Sequence, residues 1–208
     1  MKRPFFWITA SAVTLALCVL SYAVTDIQVA LFFHELRNTV FYTVFSIVTC
    51  FGESQWYLVL GLLLFVMFRS KTKTVLAAKG LFLFTAVATS GVCADIIKYL
   101  AGRARPTLYF SRQLYGFDFF HWEPSWTSFP SGHSATAFSV AIVLATWYPQ
   151  WRFILIFTAC LIAFSRIFLA KHYISDVIAG SFLGIVSTVL LYNVYFKQAV
   201  DTSESREI

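Results

Sequence analysis

The chain has 208 residues, of which 59% are hydrophobic and only 12% charged. Soluble domains carry about 25% charged residues, so the composition excludes a water-soluble globule and points to an integral membrane protein. The formal net charge of +6 does not indicate a nucleic-acid partner, because the Lys and Arg residues are scattered between apolar runs and form no polar face.

Met1-Lys2-Arg3 opens the chain and an apolar run follows to Val24. The run has the polarity of a signal peptide, but it is too long, and Tyr22-Ala-Val-Thr-Asp26 is a poor cleavage site. It is read as an uncleaved first span at 5–24. Ile27, Val29, Leu31, Phe32 and Phe33, followed by His34, Glu35 and Arg37, predict an interfacial helix after it. Further apolar runs at 52–68, 75–97, 133–149, 153–170 and 174–196 make six transmembrane helices in an all-α fold, judged against the roughly 20 residues a crossing needs. The apolar residues before Gly52 can lengthen the second span, making it long and tilted.

Two connectors are short, Arg69–Lys73 and Tyr148–Arg152. The long one, 99–132, contains Gly102, Pro106, Gly116, Pro124 and Pro130, with Phe119, Phe120, Trp122, Trp126 and Phe129. These aromatics are read as an interfacial belt or a greasy lip for lipid. Residues 201–208 form a polar tail expected to be disordered. Cys18, Cys50, Cys93 and Cys160 lie inside apolar runs without zinc spacing and are read as packing residues. Gly180-x3-Gly184 predicts close helix packing within a monomer.

Three polar clusters interrupt this pattern within residues 98–176: Lys98-x6-Arg105-Pro106, Pro130-Ser131-Gly132-His133, and Ser165-Arg166-x5-His172-x3-Asp176. The first two share one connector and the third follows two crossings later, so all three are expected on one membrane side. Setting aside Lys98, Arg105 and Arg166, the opposite side has eight Lys and Arg residues against four. That side is read as cytoplasmic, and the clusters then face the periplasm or cell exterior.

The clusters suit phosphate chemistry. Charge in phosphoryl transfer spreads over the equatorial oxygens, so catalysis is mainly positioning and electrostatics. Lys98, Arg105 and Arg166 supply positive charge, and arginine offers a fork matched to phosphate oxygens. Ser131 and Gly132 stand where a helix N-terminus presents free N–H groups to an anion. No group of Asp or Glu forms an oxygen-rich cage for magnesium, so no metal and no other cofactor is expected. Four residues apart, His172 and Asp176 would share a helix face. The carboxylate would then orient the ring and leave its second nitrogen nucleophilic. His133 remains to protonate the leaving oxygen and later to activate water.

All eleven motif positions resemble the type 2 phosphatidic acid phosphatase (PAP2) superfamily, in its bacterial membrane lipid phosphatase branch, without departure in type or spacing. The resemblance implies that residues 1–200 form one six-span phosphatase domain in the bacterial cytoplasmic (inner) membrane. It implies metal-independent hydrolysis of a lipid phosphate or diphosphate through a phosphohistidine at His172. Asp176 is then the partner of His172 and His133 the acid–base, with Lys98, Arg105, Ser131, Gly132 and Arg166 binding the phosphoryl group. Undecaprenyl diphosphate, phosphatidylglycerol phosphate and phosphatidic acid are the substrates so implied. A lipid A phosphatase or a phosphotransferase using the same intermediate is the alternative, and a lipid or phosphate transporter a more distant one. The expected partners are the lipid substrate and the bilayer, with no nucleic acid. Ser165 is left between backbone and phosphate, Arg103 is read as solvated rather than as a contact for the second phosphate of a diphosphate, and His34 and His121 as bystanders.

Overall fold

A backbone facing lipid must satisfy its own hydrogen bonds, and a helix does so within one segment. The computed structural model describes residues 4–70 and 74–197, and its regular elements there are helices. They are α1 (Pro4–Val24), α2 (Asp26–Glu35), α3 (Val40–Cys50), α4 (Ser54–Phe68), α5 (Thr74–Ala101), α6 (Pro106–Arg112), α7 (Gly132–Trp147), α8 (Arg152–Phe168) and α9 (Ile174–Leu191). The polar tail at 201–208 and Lys2, Arg3, Lys71, Lys73 and Arg206 of the charge count lie outside the described residues.

Among the described residues, five helical stretches are long and apolar enough to cross a membrane: Phe5–Val24, Val40–Phe68, Val75–Ala101, Pro149–Phe168 and Ile174–Phe196. The fourth expected span is the shorter helix Gly132–Trp147. Its start is set by Ser131 as N-cap, and Pro149 follows closely at its other end. The apolar residues before Gly52 do join the second span, but Phe51–Glu53 breaks it into α3 and α4.

α7 is the central element. Its residues from Ser134 to Ala141 are all buried, as expected of a helix that is apolar all round. One cluster around Phe82, Val87, Val143 and Phe196 joins it to α5 and the helical turn Tyr192–Phe196 that follows α9, and another around Phe138, Ile162 and Val177 joins it to α8 and α9. α9 lies close against α7, because a Cβ at Gly180 would fall 2.3 Å from the Ser131 carbonyl oxygen and one at Gly184 2.3 Å from that of Ala135. The glycine pair is therefore spent on packing inside the monomer. The outer surface is apolar, with Phe5, Ile8, Phe41, Trp56 and Phe153 all exposed.

Candidate active site

The long connector is folded back on itself. α5 ends at Ala101, and the Gly102 N–H closes its last turn on the Lys98 carbonyl at 2.9 Å. Gly102 has φ +54, and a Cβ there would lie 1.5 Å from the Asp118 carbonyl oxygen, so only glycine fits. Ala104 N–H donates to Gly116 at 3.0 Å and Asp118 N–H to Gly102 at 2.7 Å. This short pairing fixes the residues between Lys98 and Arg105. Arg105 is extended and its N–H donates to the Ser125 carbonyl at 2.8 Å, while Pro106 opens α6, a position where its missing N–H costs nothing.

At the start of α7, Ser131 Oγ accepts from the Ser134 N–H at 3.4 Å and hydroxyl at 3.0 Å, and Ser131 N–H donates to the Asp176 carbonyl at 2.9 Å. Ser131 thus serves as the helix cap and ties α7 to α9. Among the described residues the N–H groups of Gly132 and His133 find no acceptor, as the first turn of a helix leaves them. A Cβ on Gly132 would stand 3.2 Å from Lys98 Nζ. Lys98 also pairs with the exposed Asp95 at 2.7 Å. Gly52, at the break between α3 and α4, lies against the His133 ring. Arg166, His172, Lys98 and Arg105 are all within electrostatic reach of His133. The eight site residues read from sequence are therefore gathered in one place.

Arg166 is buried near the end of α8 and donates from Nη1 to Thr49 Oγ1 at 2.6 Å. Its carbonyl accepts from the N–H groups of Lys171 and His172 at 3.0 and 3.2 Å, in a turn where Ala170 has φ +48. Ser165 Oγ donates to the Ile162 carbonyl at 2.5 Å, so it bonds backbone. Arg105 donates only weakly, to Thr127 at 3.3 and 3.4 Å.

His172 does not lie on α9, which begins at Ile174. The shared helix face expected for His172 and Asp176 is replaced by a turn. His172 Nδ1 lies 2.7 Å from the Ser128 carbonyl and 3.5 Å from Asp176 Oδ2. A carbonyl only accepts, so Nδ1 carries the proton and Nε2 is the bare nitrogen. Ser128, absent from the sequence reading, sets the tautomer through its backbone. Its hydroxyl also donates to Asp176 Oδ2 at 2.6 Å. Burial, with the charges of Arg105 and Arg166, outweighs Asp176 and lowers the His172 pKa to about 4.

The reading of Arg103 as solvated is overturned. It is 1% exposed and joins two buried carboxylates. Nη1 bonds Asp176 Oδ1 and, at 2.6 Å, Ser175 Oγ; Nη2 bonds Asp26 Oδ2 at 2.7 Å. Asp26, the first residue of α2, also accepts from the Ser175 hydroxyl, from Ser175 N–H at 3.1 Å and from Ser21 Oγ at 2.7 Å. The rings of Tyr22, Tyr115, Phe117, Phe129 and Tyr173 lie 4.8 to 5.9 Å from the guanidinium. Although burial works against its charge, Asp176 and then Asp26 hold its pKa above the ordinary value. A lone carboxylate directly after an apolar span was the available signal for Asp26. His121 pairs with Asp118 at 2.6 Å on the exposed part of the connector.

In this helical membrane protein, cations and two imidazoles gather around free helix N–H groups, a set that a phosphoryl group could use. The chain belongs to the PAP2 superfamily, whose family model matches residues 79–199, and it is a phosphatase acting on lipid phosphates. It is 32% identical over 161 residues to the lipid A 1-phosphatase of Rhizobium etli, covering 72% of this chain and 69% of that protein. It is 34% identical over 94 residues to the undecaprenyl-diphosphatase of Sulfolobus acidocaldarius, covering 45% of this chain and 44% of that one. The fold resembles the crystal structure of the PAP2 type phosphatidylglycerolphosphate phosphatase of Bacillus subtilis, with TM-score 0.64 and 21% identity over 91% of this chain and 96% of that one.

Proposed function

We propose that the protein hydrolyses a lipid phosphate through a phosphohistidine at His172, without a metal, in a six-span membrane domain whose site opens to the periplasm or cell exterior. One observation carries this: a buried imidazole gives its Nδ1 proton to the Ser128 carbonyl, which leaves Nε2 bare, and it lies within the electrostatic reach of Arg105 and Arg166, neither of which has a carboxylate partner among the described residues. Nε2 attacks phosphorus and the phosphorus–oxygen bond to the lipid breaks. His133, entering as the imidazolium beside the bound phosphate dianion, gives its proton to the leaving oxygen and becomes neutral. Water then attacks the phosphohistidine, His133 takes the proton, and inorganic phosphate leaves with His172 restored. Arg105, Arg166, Lys98 and the N–H groups of Gly132 and His133 hold the equatorial oxygens.

The Rhizobium relative favours lipid A carrying a 1-phosphate as substrate, since its match covers most of this chain. Undecaprenyl diphosphate is the second reading, supported by the shorter Sulfolobus match. Rapid quench with labelled lipid at alkaline pH tests the chemistry. His172→Ala should form no phosphoenzyme, whereas His133→Ala should accumulate label that His133→Ala/His172→Ala lacks. Label retained on His172→Ala would reverse the roles. Outward orientation requires that a cysteine placed at 107–128, in a chain freed of its own cysteines, react with an impermeant thiol reagent on intact cells.

A further inference from the structure

Beside the cradle lies a second cavity of about 210 Å³, lined by His34, Arg37, Tyr42, Thr107 and Lys171 among others. It is built from the same pieces as the catalytic groups. Lys171 immediately precedes His172, and both backbone N–H groups hang from the Arg166 carbonyl. Thr107 lies two residues after Arg105, on α6. The opposite wall comes from α2 and the turn after it: His34 stacks on Phe110 with ring centroids 3.9 Å apart, and Arg37 Nη1 lies 3.4 Å from His34 Nε2.

Phe33, Phe110, Leu169 and Ala170 complete the walls, and the polar part of the lining has donors and no counter-charge. Among the described residues neither Arg37 nor Lys171 has a carboxylate within 4.0 Å. The hydroxyls of Tyr42 and Thr107 donate to no protein acceptor there. In a chain only 12% charged, two cations, an imidazole and two idle hydroxyls converge on one space. A phosphate uses this set, because it accepts charge-assisted bonds on several oxygens at once. We propose that this cavity takes a second phosphate of the lipid substrate's headgroup while the first sits between Arg105, Arg166 and His172. The proposal rests on reading that cradle as the phosphoryl site. It also gives His34, silent in the sequence, a place in the structure.

The test uses the full chain in detergent micelles with three substrates: lipid A bearing phosphates on both sugars, and its two monophosphorylated forms. The wild type should show a KM about tenfold lower for the bisphosphate than for the monophosphate it turns over, as a few charge-assisted bonds would give. Arg37→Ala/Lys171→Ala should erase that difference while kcat and the monophosphate KM hold steady. Both side chains are exposed, so the variant should fold. Equal KM changes for the bisphosphate and the monophosphate, or none, would overturn the proposal. So would a preference that appears only when anionic phosphatidylglycerol is added to the micelles, since the cavity would then hold a neighbouring lipid. Melting of His172→Ala with each lipid reads binding without turnover. Tighter binding of the bisphosphate there, with a wild type that releases no phosphate, would sink the catalytic reading and leave the cavity standing.

Discussion

Arg103 and Arg105 are two residues apart and have opposite surroundings. The terminal nitrogens of Arg103 bond Asp26, Asp176 and Ser175 inside an aromatic cage. Those of Arg105 reach only Thr127, and Arg166 reaches only Thr49. The Nε of all three is buried without an acceptor, so the distinction lies at the fork. A charge whose fork is saturated by the protein is scaffold. One left with neutral partners is held ready for a ligand, because burying a cation without a counter-charge costs several kcal/mol. Across the His172 ring this sorts the charges. Two carboxylates against one guanidinium leave a negative excess at Nδ1, where Asp176 Oδ2 lies 3.5 Å away, and Arg105 and Arg166 act on the ring as positive charges. Asp176 opposes burial and the two arginines and so eases the positive charge that the ring would take on when Nε2 bonds phosphorus.

The most damaging way to probe the open side keeps its charge. Arg105→Lys and Arg166→Lys should each lose on the order of 10²–10³ in kcat, since a point charge cannot replace a bidentate fork on the transition state. Turnover measured on a pure lipid phosphate decides it. Near-normal kcat in both would mean that these arginines merely anchor helices.

Stability separates the two sides by sign. Arg103→Met leaves two buried carboxylates without their cation and should cost about 3–5 kcal/mol. Arg105→Met removes a charge that burial already disfavours, with only Asp176 opposing, and should leave the ligand-free melting temperature unchanged or higher. Equal losses in the two variants would erase the distinction between scaffold and ligand-seeking arginine.

Much of the site was legible because the motif residues are fixed by spacing along the chain. Lys98, Arg105, His133, Arg166 and His172 meet as their order predicts. What spacing could not show is tertiary. Asp26 lies 77 positions from Arg103 and 149 from Ser175, and nothing local to α2 announces that contact. The fold of the 99–132 connector depends on backbone pairing around Gly102 and Gly116, which apolar periodicity does not register. For the same reason the Ser128 carbonyl was invisible: a backbone acceptor has no residue type. The hydrophobic runs located the long helices well, and the break at Phe51–Glu53 coincides with Gly52-Glu53-Ser54-Gln55, but its consequence, Gly52 against His133, is a tertiary contact.

The smallest effect concerns the ring between the two sides. Burial and the two arginines lower the His172 pKa from 6.5 to about 4. Above pH 6.5 the ring is neutral in both folded and unfolded chains, and its contribution to stability is fully present. As pH falls from 6.5 to about 4, the unfolded chain binds a proton there that the folded chain refuses. Stability should therefore drop across that window through this group and level off below it. His172→Asn keeps a side-chain N–H at the Nδ1 position for the Ser128 carbonyl but has nothing to titrate. Its stability in detergent, followed by denaturant unfolding from pH 7 to pH 4, should fall less steeply than that of the wild type, with His133 and the carboxylates common to both. Parallel curves would mean that the ring takes up its proton in the folded state at an ordinary pH, and that the positive side of the site does not reach His172 as strongly as its neighbours imply.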